Sequence, residues 1–489
     1  MKKILIFSTI VLFCLCGNSW AAKPKSHHLY IISTNDMHAN IDMMPSLATL
    51  VKEYEAKGEV LLVDSGDRVT GNAYVDDDQQ PGVPMIELMN VVGYDIVTLG
   101  NHEFDKGSSV LGNMVAHSNF EWVCSNMKVL RDMPQIKPYT IFKYKGAKIG
   151  FVGVVCTEAN GRPTGAESSY ANFRFLEDYT TAYRVCEEVD DKCDFVVLLS
   201  HMGFDMDTRL AKMDAECDWI AGGHSHDIVN TTIDDVHISQ NRKDIRYVTI
   251  ADVEIYRGDV ERITYTQVDV REVAPDMAVA ELVDEIKARD PELNTVEMRA
   301  LADATQDGVA NFTIEAMATY PYDNGFVPEV SFYHFGGVRL SGISEGDVKR
   351  VTILNNDPFV STIYLGEMTV AEMRKFILDK YNSGTSEKPD KESHYPYFRS
   401  DVPYTIVLAN PEERYSDAVD VVFPTLDEGC SYRVAICNYV AENYIDKTLV
   451  SSKLYKTDIT VREAMLRLAR SLKDVGYEPD NNVYQTEKR

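Results

Sequence analysis

Short, continuously apolar runs recur through the first half of this 489-residue chain, and amphipathic stretches separate them. The runs that predict strands are "LYIIS" (29–33), "VLLV" (60–63), "DIVTL" (95–99), "KIGFVGVV" (148–155), "DFVVLL" (194–199) and "DWIAG" (218–222). Continuous apolar character is typical of strands that are buried on both faces. Residues 45–56, 84–92 and 180–189, which lie between them, have helical spacing. This alternation predicts a layered α/β domain.

A hairpin and a helix mark the end of this domain. Residues 247–270 alternate with period two around Arg257-Gly258-Asp259, which predicts a β-hairpin. Residues 276–289 have apolar side chains at helical spacing and neither Gly nor Pro, so we predict a helix that joins two domains. The chain is also too long for one ordinary core. The elements predicted in the second domain are a helix near 309–319 and strands at 359–365 and 403–408.

Five of the six strands in the first half are followed by side chains that bind metal ions. These side chains are Asp36 and His38, Asp64 and Asp67, Asn101, His102 and Asp105, His201, and His224 and His226. In an open α/β sheet, the carboxyl ends of the strands meet in one crevice. We therefore expect five separate strand ends to bring their ligands to one place.

The number and type of these ligands suit two metal ions. Four imidazoles, two carboxylates and one amide exceed the four ligands of a tetrahedral ion. They fit two ions about 3.5–4 Å apart that share a bridging carboxylate. Imidazole and carboxylate together suit Zn²⁺, Mn²⁺ or Fe, and Co²⁺ and Mg²⁺ stay open as well. The members of this set are Asp36, His38, Asp67, Asn101, His201, His224 and His226.

Other polar residues have simpler interpretations. Isolated histidines such as His27, His28 and His237 are typical of surface or core positions, and the run 76–78 is typical of a solvated loop. Glu103 is interpreted as a capping or ion-pairing residue. The role of Asp64 stays open.

The spacing of the ligands resembles a known signature. The set Asp36-x-His38, Gly66-Asp67, Gly100-Asn101-His102-Glu103, His201 and Gly223-His224-Ser225-His226 resembles that of calcineurin-like metallophosphoesterases. "GNHEFD" and the large C-terminal half resemble the 5′-nucleotidase family, which includes UDP-sugar hydrolases and 2′,3′-cyclic nucleotide phosphodiesterases. The resemblance implies an α/β fold with a four-layered β-sandwich flanked by helices (27–272), a linking helix (273–294) and a substrate-binding α/β domain (295–489).

The resemblance also implies a role for each ligand. It implies one ion held by Asp36, His38 and His226, a second held by Asn101, His201 and His224, and Asp67 as the bridge. His102 would stabilise the phosphoryl transition state or the leaving oxygen, and Asp105 would keep it protonated. A cationic imidazole beside developing negative charge lowers such a barrier.

In the C-terminal half, "SFYHFGGVRLS" (331–341) resembles the Gly-rich substrate loop of the family. Arg339 would contact the phosphate or carboxylate-like end of the substrate, Gly336 and Gly337 would allow close backbone approach, and Tyr439 would stack on a nucleobase. His334 is counted with these substrate-binding residues, although the family loop usually begins with Asn.

Further departures from the family pattern concern nucleotide recognition. The second stacking aromatic is matched by Asn356, or by Phe359 if the loop shifts. The usual Gly-Gly-Asp is absent, with Asp446 as a stand-in, and an Arg expected within 302–307 is missing.

The N-terminus predicts export. Lys2 and Lys3 precede an apolar run over 4–16 that is too short to span a membrane, and small residues favour cleavage after Ala21. We expect a secreted or periplasmic protein, with lipid attachment at Cys16 as the alternative. We expect no transmembrane segment in the remainder.

The net charge narrows the choice of binding partners. A net charge of −27 disfavours nucleic acid polymers and anionic membrane surfaces. A small anionic substrate can still bind where metal ions reverse the local field.

Seven cysteines lie beyond the targeting segment, so at least one is unpaired. Buried free thiols are the preferred interpretation, with Cys186–Cys193 and Cys430–Cys437 as candidate disulfides.

These features predict a two-metal phosphoesterase that releases phosphate from nucleoside 5′-monophosphates. A 2′,3′-cyclic nucleotide phosphodiesterase, a UDP-sugar hydrolase and a phosphatase for a non-nucleotide ester are alternatives. A non-catalytic ligand-binding descendant is disfavoured because all seven predicted ligands are present together with His102 and Asp105.

Overall fold

The structure is a computed structural model that describes residues 26–158, 160–165, 167–213, 215–383, 395–413 and 416–488. The predicted targeting segment, with Ala21 and Cys16, lies outside these residues. Over the described chain, no helix has the length and apolar content needed to cross a bilayer.

The N-terminal half alternates strands and helices, as the sequence predicts. Its strands are β1 (His27–Thr34), β2 (Glu59–Asp64), β3 (Tyr94–Val97), β4 (Glu121–Trp122), β5 (Met127–Val129), β6 (Tyr139–Tyr144), β7 (Ala147–Val155), β8 (Phe173–Phe175), β9 (Phe195–His201), β10 (Trp219–Gly222), β11 (Ile228–Ile233), β12 (Val236–Asn241), β13 (Tyr247–Tyr256) and β14 (Asp259–Asp269). Its helices are α1 (Met44–Glu55), α2 (Ala73–Asp76), α3 (Val83–Val92), α4 (Gly107–His117), α5 (Asp178–Asp190) and α6 (Phe204–Ala211).

Two six-stranded sheets pack face to face between layers of helices. The first has the order β14-β13-β1-β2-β3-β4 and the second the order β11-β12-β10-β9-β7-β6. One apolar core lies between the sheets, and two more lie between each sheet and its helices. The five ligand-bearing strands therefore belong to two sheets. The sequence predicted that their ligands converge on the assumption of a single open sheet. The predicted four-layered α/β fold is confirmed.

Strand β1 shows why the apolar runs are continuous. Leu29 and Ile31 point into the core between the sheets, whereas Tyr30 and Ile32 point into the core beneath the helices. Alternate side chains of a strand face opposite sides of its sheet. A strand covered on both sides must therefore be apolar at every position.

The helix that links the two halves is α7 (Met277–Ala288). Asp276 begins it by accepting hydrogen bonds from the backbone N–H groups of Ala278 and Val279, as a helix N-cap does. Val279 and Ile286 are buried in the core that contains α1 and α3. The linking helix thus packs on the N-terminal half.

The C-terminal half forms its own core around a five-stranded sheet with the order β21-β17-β24-β20-β25. Its strands are β15 (Val296–Ala300), β16 (Ala304–Thr305), β17 (Val330–His334), β18 (Gly342–Ile343), β19 (Gly346–Lys349), β20 (Thr362–Thr369), β21 (Phe398–Ser400), β22 (Tyr404–Leu408), β23 (Ala418–Val422), β24 (Ser431–Cys437), β25 (Leu454–Thr460) and β26 (Gln485–Lys488). Its helices are α8 (Gln306–Thr319), α9 (Arg350–Asn356), α10 (Val370–Tyr381), α11 (Asn438–Tyr444), α12 (Lys447–Lys453) and α13 (Val461–Ser471).

The strand predicted at 359–365 begins later, at Thr362. A turn precedes it, because Asp357 Oδ2 accepts a hydrogen bond from the backbone N–H of Ser361 at 2.9 Å. Val360 within this turn has a φ of 53°, which is incompatible with an extended strand. Phe359 therefore lies outside the strand, and its side chain is not part of the sheet.

The candidate disulfides do not form. Among the described residues every cysteine is a free thiol. Cys186 is buried in the core beneath α5 together with Cys217, whereas Cys193 lies at its margin. Cys430 is exposed and Cys437 is fully buried, so the members of the second pair lie in different environments.

Candidate active site

The five predicted strand ends meet at one edge of the β-sandwich. The ligands follow β1 (Asp36 and His38), β2 (Asp67), β3 (Asn101) and β10 (His224 and His226), and His201 is the last residue of β9. Strands β1, β2 and β3 run parallel in one sheet, and β9 and β10 run parallel in the other. Because the sheets are packed with these ends together, the ligands of both point into the same cluster.

The ligand atoms of neighbouring residues in the cluster are in direct contact. His38 Nε2 is 3.0 Å from His226 Nε2, and His201 Nε2 is 3.0 Å from Asp67 Oδ2. The groups Asp36–His38–His226, His38–Asp67–His102 and Asp67–His201–His224 each place their ligand atoms within 4.8 Å of one another. The groups overlap at His38 and Asp67, as expected of two neighbouring cation positions.

An unusual backbone conformation points these side chains inward. Asp36, His38, Asp67, His224 and His226 have φ values of 48°, 44°, 55°, 76° and 55°. Positive φ is uncommon for residues other than glycine and costs on the order of 1–3 kcal/mol where the surroundings impose it. Such strain is concentrated at functional sites, and here it affects five of the seven predicted ligands.

Contacts between the loops hold this conformation. The backbone N–H of Asp36 donates to the carbonyl of Gly66, and that of His38 donates to the carbonyl of Asp67, both at 2.9 Å. Gly66 has a φ of 93°, and an added Cβ there would lie 2.4 Å from the nitrogen of Gly100. The first two ligand loops are therefore paired along their backbones, and the third packs directly against the second.

Backbone carbonyls fix the orientation of two imidazoles. His201 Nδ1–H donates to the carbonyl of Ser65 at 2.7 Å, and His38 Nδ1–H donates to that of Thr70 at 3.1 Å. In both rings Nε2 is thus left for a ligand, which is how proteins usually orient metal-binding histidines. His201 Nε2 is buried and, although it lies 3.0 Å from Asp67 Oδ2, it has no well-aligned hydrogen-bond partner. Such an orphaned nitrogen beside a carboxylate fits a metal ion.

The electrostatics of the cluster favour a cation. Burial lowers the pKa of His201, but the Asp67 carboxylate, together with Asp36 and the Ser65 carbonyl, raises the pKa of this imidazole to about 10. The same interaction holds the pKa of Asp67 well below its usual range in spite of burial. Burial lowers the pKa of His224 to about 4. A metal ion would displace the proton from His201, because ligands bind metals in their deprotonated form.

His102 and Asp105 form a hydrogen-bonded pair beside the cluster. His102 Nδ1 lies 2.8 Å from Asp105 Oδ2, and its Nε2 lies 3.8 Å from Asp67 Oδ2. Burial opposes protonation of His102, but Asp67 and Asp105 together raise its pKa. Thr70 Oγ1 donates a further hydrogen bond to Asp105 at 2.9 Å. The arrangement presents Nε2 towards the ligands.

The neighbouring acidic residues support the loops. Glu103 accepts hydrogen bonds from the backbone N–H groups of Gly100, Asp67 and Arg68 at 2.6, 3.0 and 2.9 Å. It therefore ties the second and third ligand loops together and does not cap the short helix in which it lies. Asp64 pairs with the buried guanidinium of Arg68 at 2.8 Å. The prediction of a solvated loop is wrong for Asp76. This residue is buried, and its carboxylate accepts hydrogen bonds from three successive backbone N–H groups of the loop that follows Val69.

The C-terminal half reaches this cluster through Arg339. Arg339 Nη2 lies 3.3 Å from His38 Nδ1 and 3.4 Å from Nε2. The ring of Phe359 lies 5.7 Å from that of His102 and 5.6 Å from the Arg339 guanidinium. A cation and an aromatic face from one half thus border the ligand cluster of the other.

The remaining substrate-loop residues form an aromatic group. The His334 ring lies 4.4 Å from that of Tyr439, and His334 Nδ1 lies 3.3 Å from the hydroxyl of Tyr397. An added Cβ at Gly337 would lie 2.4 Å from His334 Nε2, and one at Gly336 would lie 3.1 Å from the Tyr397 hydroxyl. A side chain at Gly337 would therefore displace the imidazole that packs directly on the loop, whereas one at Gly336 would require the phenol to shift by a few tenths of an ångström.

The structure decides between the two candidates for the second aromatic position. Asn356 is buried, and its Nδ2 donates to Thr313 Oγ1 at 2.9 Å, so it belongs to the core. Phe359 faces the cluster instead. Asp446 has a local role, since it accepts from the backbone N–H of Thr448 at the start of α12.

The sequence interpretation missed Arg399. Its Nε donates to Asp307 Oδ1 at 3.1 Å, and its guanidinium lies 4.1 Å from the Phe335 ring. It therefore brings a guanidinium to the first turn of α8, next to the segment 302–307 where the family pattern expects one. No local pattern signals this, because Arg399 approaches from a distant strand.

Two family models match the chain in succession. A calcineurin-like phosphoesterase model matches residues 29–227, and a 5′-nucleotidase C-terminal domain model matches residues 287–446. The first contains every predicted metal ligand, and the second contains Arg339 and Tyr439.

Curated relatives and solved structures have the same organisation. The chain is 24% identical over 476 residues to the trifunctional nucleotide phosphoesterase YfkN of Bacillus subtilis, covering 84% of this chain and 32% of the relative. It is 24% identical to the 5′-nucleotidase of Vibrio cholerae, covering 81% and 83%. Two of the curated relatives are much longer than this chain, which matches 32% and 33% of their lengths. A 5′-nucleotidase-related protein of Glossina morsitans morsitans is 33% identical over 42% of this chain and 41% of its own length.

The fold is shared with a 5′-nucleotidase precursor from Thermus thermophilus, at a TM-score of 0.79 and 19% identity over 94% of this chain and 99% of the other. It is also shared with the sulfate thiohydrolase SoxB of the same organism, at a TM-score of 0.76 and 16% identity over 95% and 97%. The family holds two divalent metal ions, and the overlapping His and Asp groups of this chain fit that number. The chain belongs to the family of metal-dependent phosphoester hydrolases in which a calcineurin-like phosphoesterase domain precedes a 5′-nucleotidase C-terminal domain.

Proposed function

We propose that this protein hydrolyses nucleotide phosphate esters and that nucleoside 5′-monophosphates, which yield inorganic phosphate, are its main substrates. The observation that carries the proposal is the position of Arg339, whose guanidinium contacts His38 of the ligand cluster. A phosphoryl group bound at the cluster would have this guanidinium beside it. Arg is well suited to bind phosphate oxygens through two N–H groups.

The proposed ligands divide into two sets around Asp67. One ion would be held by Asp36, His38 and His226, the other by Asn101, His201 and His224, and Asp67 would bridge them. Asp67 lies in two of the three overlapping groups, which supports this role. When bound, the ions would polarise the phosphoryl oxygens and lower the pKa of the attacking water.

His102 and Asp105 are proposed to act on the departing side. Hydrolysis forms a bond from a water oxygen to phosphorus and breaks the bond from phosphorus to the ester oxygen. His102 Nε2 faces the cluster, and Asp105 at 2.8 Å from Nδ1 favours the protonated ring. A protonated imidazole there would stabilise the negative charge that develops on the phosphoryl group or the leaving oxygen.

Nucleobase binding is proposed for Tyr439 and Phe359, with His334 and the loop glycines shaping the site. The 4.4 Å contact of His334 with Tyr439 and the 3.3 Å contact with Tyr397 are specific to a histidine at this position. His334 stands where the family loop usually has Asn. Because of this difference, cyclic nucleotide, UDP-sugar and non-nucleotide esters remain candidate substrates.

The experiment is phosphate release from AMP by the purified protein with Mn²⁺, Zn²⁺ or Mg²⁺ supplied, alongside 2′,3′-cyclic AMP, UDP-glucose, a sugar phosphate and an aryl phosphate. We expect AMP hydrolysis, and we expect Tyr439→Ala to lose AMP while it keeps the aryl phosphate. Hydrolysis of the aryl phosphate alone would contradict nucleotide recognition and leave the metal centre in place.

Export is proposed on the sequence of the N-terminal segment, with cleavage after Ala21 and lipidation at Cys16 as the alternative. N-terminal sequencing and intact-mass measurement of the protein from its own cells distinguish the two. A chain that retains Met1 or Lys2 would contradict both.

A further inference from the structure

A buried asparagine lies between the end of β1 and the first proposed ligand. Asn35 Nδ2 donates to Asp36 Oδ2 and to the backbone carbonyl of Arg242, both at 2.7 Å. The backbone N–H of Asn241 donates to Asn35 Oδ1 at 2.9 Å. Both N–H groups and the oxygen of this amide are therefore engaged, which fixes its orientation. One of the bonds goes directly to a proposed ligand.

The two carboxylate oxygens of Asp36 have different surroundings. Oδ2 accepts from Asn35 at 2.7 Å and from the backbone N–H of His224 at 3.0 Å. Oδ1 lies 3.2 Å from the same N–H and 3.4 Å from His226 Nε2. The two shortest hydrogen bonds to this carboxylate therefore go to Oδ2. Oδ1 is left facing the histidine with which Asp36 is proposed to share an ion.

The partner of Asn35 is anchored in both sheets. Asn241 is the last residue of β12, in the second sheet, and its Nδ2 donates to the carbonyl of Ser33 in β1 at 2.9 Å. Its Oδ1 accepts from Thr249 Oγ1 of β13 at 2.8 Å and from Gln267 Nε2 of β14 at 3.1 Å. Sites built on strands are held more precisely than sites on loops. Asn35 therefore rests on a polar junction that joins the sheets beside the ligand cluster.

The support that Asn35 provides is specific to one side of the cluster. The carboxylate of Asp36 is fully buried, and a buried charge is costly without hydrogen bonds. Among the ligands proposed for the second ion, His201 is oriented instead by the backbone carbonyl of Ser65. Loss of the Asn35 amide should therefore disturb Asp36 more than His201.

We propose that Asn35 is a positioning residue, which orients the Asp36 carboxylate for the ion assigned to Asp36, His38 and His226. The inference rests on the ligand sets of the proposed function. Partners behind a metal ligand fix its orientation, and their loss usually lowers metal affinity about 10–100-fold. Asn35 therefore sets the affinity of one of the two ion positions.

The test is calorimetric titration of the chelator-treated protein with Mn²⁺ in the wild type, Asn35→Leu, Asn35→Ser and the control Asn356→Leu. Leucine has nearly the shape of asparagine and no hydrogen-bonding group, and Asn356 is an equally buried amide in the C-terminal half. We expect two binding events in the wild type and in the control. In Asn35→Leu, one event should weaken about 10–100-fold and the other by less than about threefold. Asn35→Ser keeps a donor and should have a smaller effect of the same kind.

Activity gives a second readout of the same variants. Because Asn35 is proposed to contact neither the substrate nor the ions, saturating Mn²⁺ should restore phosphate release by Asn35→Leu to within about threefold of the wild type. A large loss of kcat that saturating Mn²⁺ does not restore would contradict a role in metal affinity.

The pattern of the two binding events decides the proposal. Equal weakening of both events in Asn35→Leu would assign Asn35 to the stability of the fold, and no change in either would remove it from the site. If Asn35→Leu does not fold, Asn35→Ser decides by the same criteria. Failure of the proposed function is distinguishable, since the wild type itself would then bind fewer than two ions and hydrolyse none of the esters.

Discussion

The ligand cluster of the N-terminal half and the substrate loops of the C-terminal half are built in different ways. Every predicted metal ligand lies within four residues of the end of a strand, on short loops whose backbones bond to one another. The C-terminal contributions come from four segments that are far apart in sequence. Each segment contains one of the residues Arg339, Phe359, Tyr397 and Tyr439.

Under the proposed function, this difference separates the residues of the hydrolytic chemistry from those that choose the substrate. Strained backbone at Asp36, His38 or His224 is sustained by rigid sheets on which the loops stand. A single change there would disturb several ligands at once. The aromatic group around His334 depends on side-chain packing, so one residue can change and leave the others in place. Substrate range can therefore vary in the C-terminal half while the hydrolytic centre is retained.

The largest expected effect tests the shared role of Asp67 in the cluster. Asp67→Ala removes a carboxylate that lies in two of the three ligand groups. We expect a fall in kcat/KM of about 10³-fold or more, since metal polarisation is worth several kcal/mol. Metal content per chain should fall with activity. Asp259→Ala, an exposed carboxylate on the β13–β14 hairpin, is the control. Full metal content and activity in Asp67→Ala would disprove the bridging role.

The next effect separates the proposed acid from the metal ligands. His102→Asn should lower kcat by about 10²–10³-fold, within the usual range for a positioned acid. The metal content should stay that of the wild type, because the proposed ligand sets do not include His102. Asp105→Asn should have a smaller effect of the same kind. Loss of metal in His102→Asn would mean that this residue is a ligand.

A matched pair in the C-terminal half tests the separation of binding from packing. Phe359→Ala should raise KM for AMP about tenfold, because stacking of an aromatic on a base is worth about 1–3 kcal/mol. Asn356→Ala should leave KM unchanged and lower the free energy of unfolding by about 1 kcal/mol, because it removes the buried hydrogen bond to Thr313, whose hydroxyl keeps its bond to the Val309 carbonyl. Kinetics and chemical denaturation of both variants check this. A raised KM in Asn356→Ala together with a loss of stability in Phe359→Ala would mean that the loop is shifted in solution.

The last effect is on stability and not on activity, and it concerns a buried acid behind the cluster. Asp207 is fully buried beneath the Gly222–Gly223 segment, Ser200 Oγ donates to its Oδ1, and burial raises its pKa to about 7. The unfolded chain loses this proton near pH 4 and the folded chain near pH 7. The group therefore lowers the free energy of unfolding by about 1.4 kcal/mol for each pH unit between them.

Asp207→Asn should remove this slope and gain stability relative to the wild type as the pH rises from 4 to 7. Denaturation of the metal-chelated proteins across this range measures it. Parallel pH profiles for the two proteins would show that Asp207 is ionised in the folded state.

The fold of the N-terminal half could be predicted because both of its signals are local. Apolar runs at positions such as 29–33 identify strands buried on both faces, and the polar residues after them identify the ligands. The existence of two sheets could not be predicted from the residues alone. Which strands pair depends on contacts between runs that are equally apolar, and both arrangements bring the strand ends together.

The C-terminal site could be predicted only where a motif is continuous, as in the loop that ends at Arg339. Asn356 and Phe359 are three residues apart, and the sequence left both as candidates. Only the turn at Asp357 and Ser361 decides that one enters the core and the other faces the cluster. Arg399 gave no signal, because it approaches Asp307 and Phe335 from a strand with no ligand pattern of its own.

The sequence by itself determined the layered α/β organisation, the residue types at the strand ends and the expectation of two metal ions. These follow from side-chain periodicity and ligand chemistry, which act over a few residues. The tertiary structure alone decided which strands join each of the two sheets, the strained backbone of the ligand loops, and the contact of Arg339 with His38. Those features depend on packing between distant segments, and packing selects among conformations that local sequence leaves nearly equal in free energy.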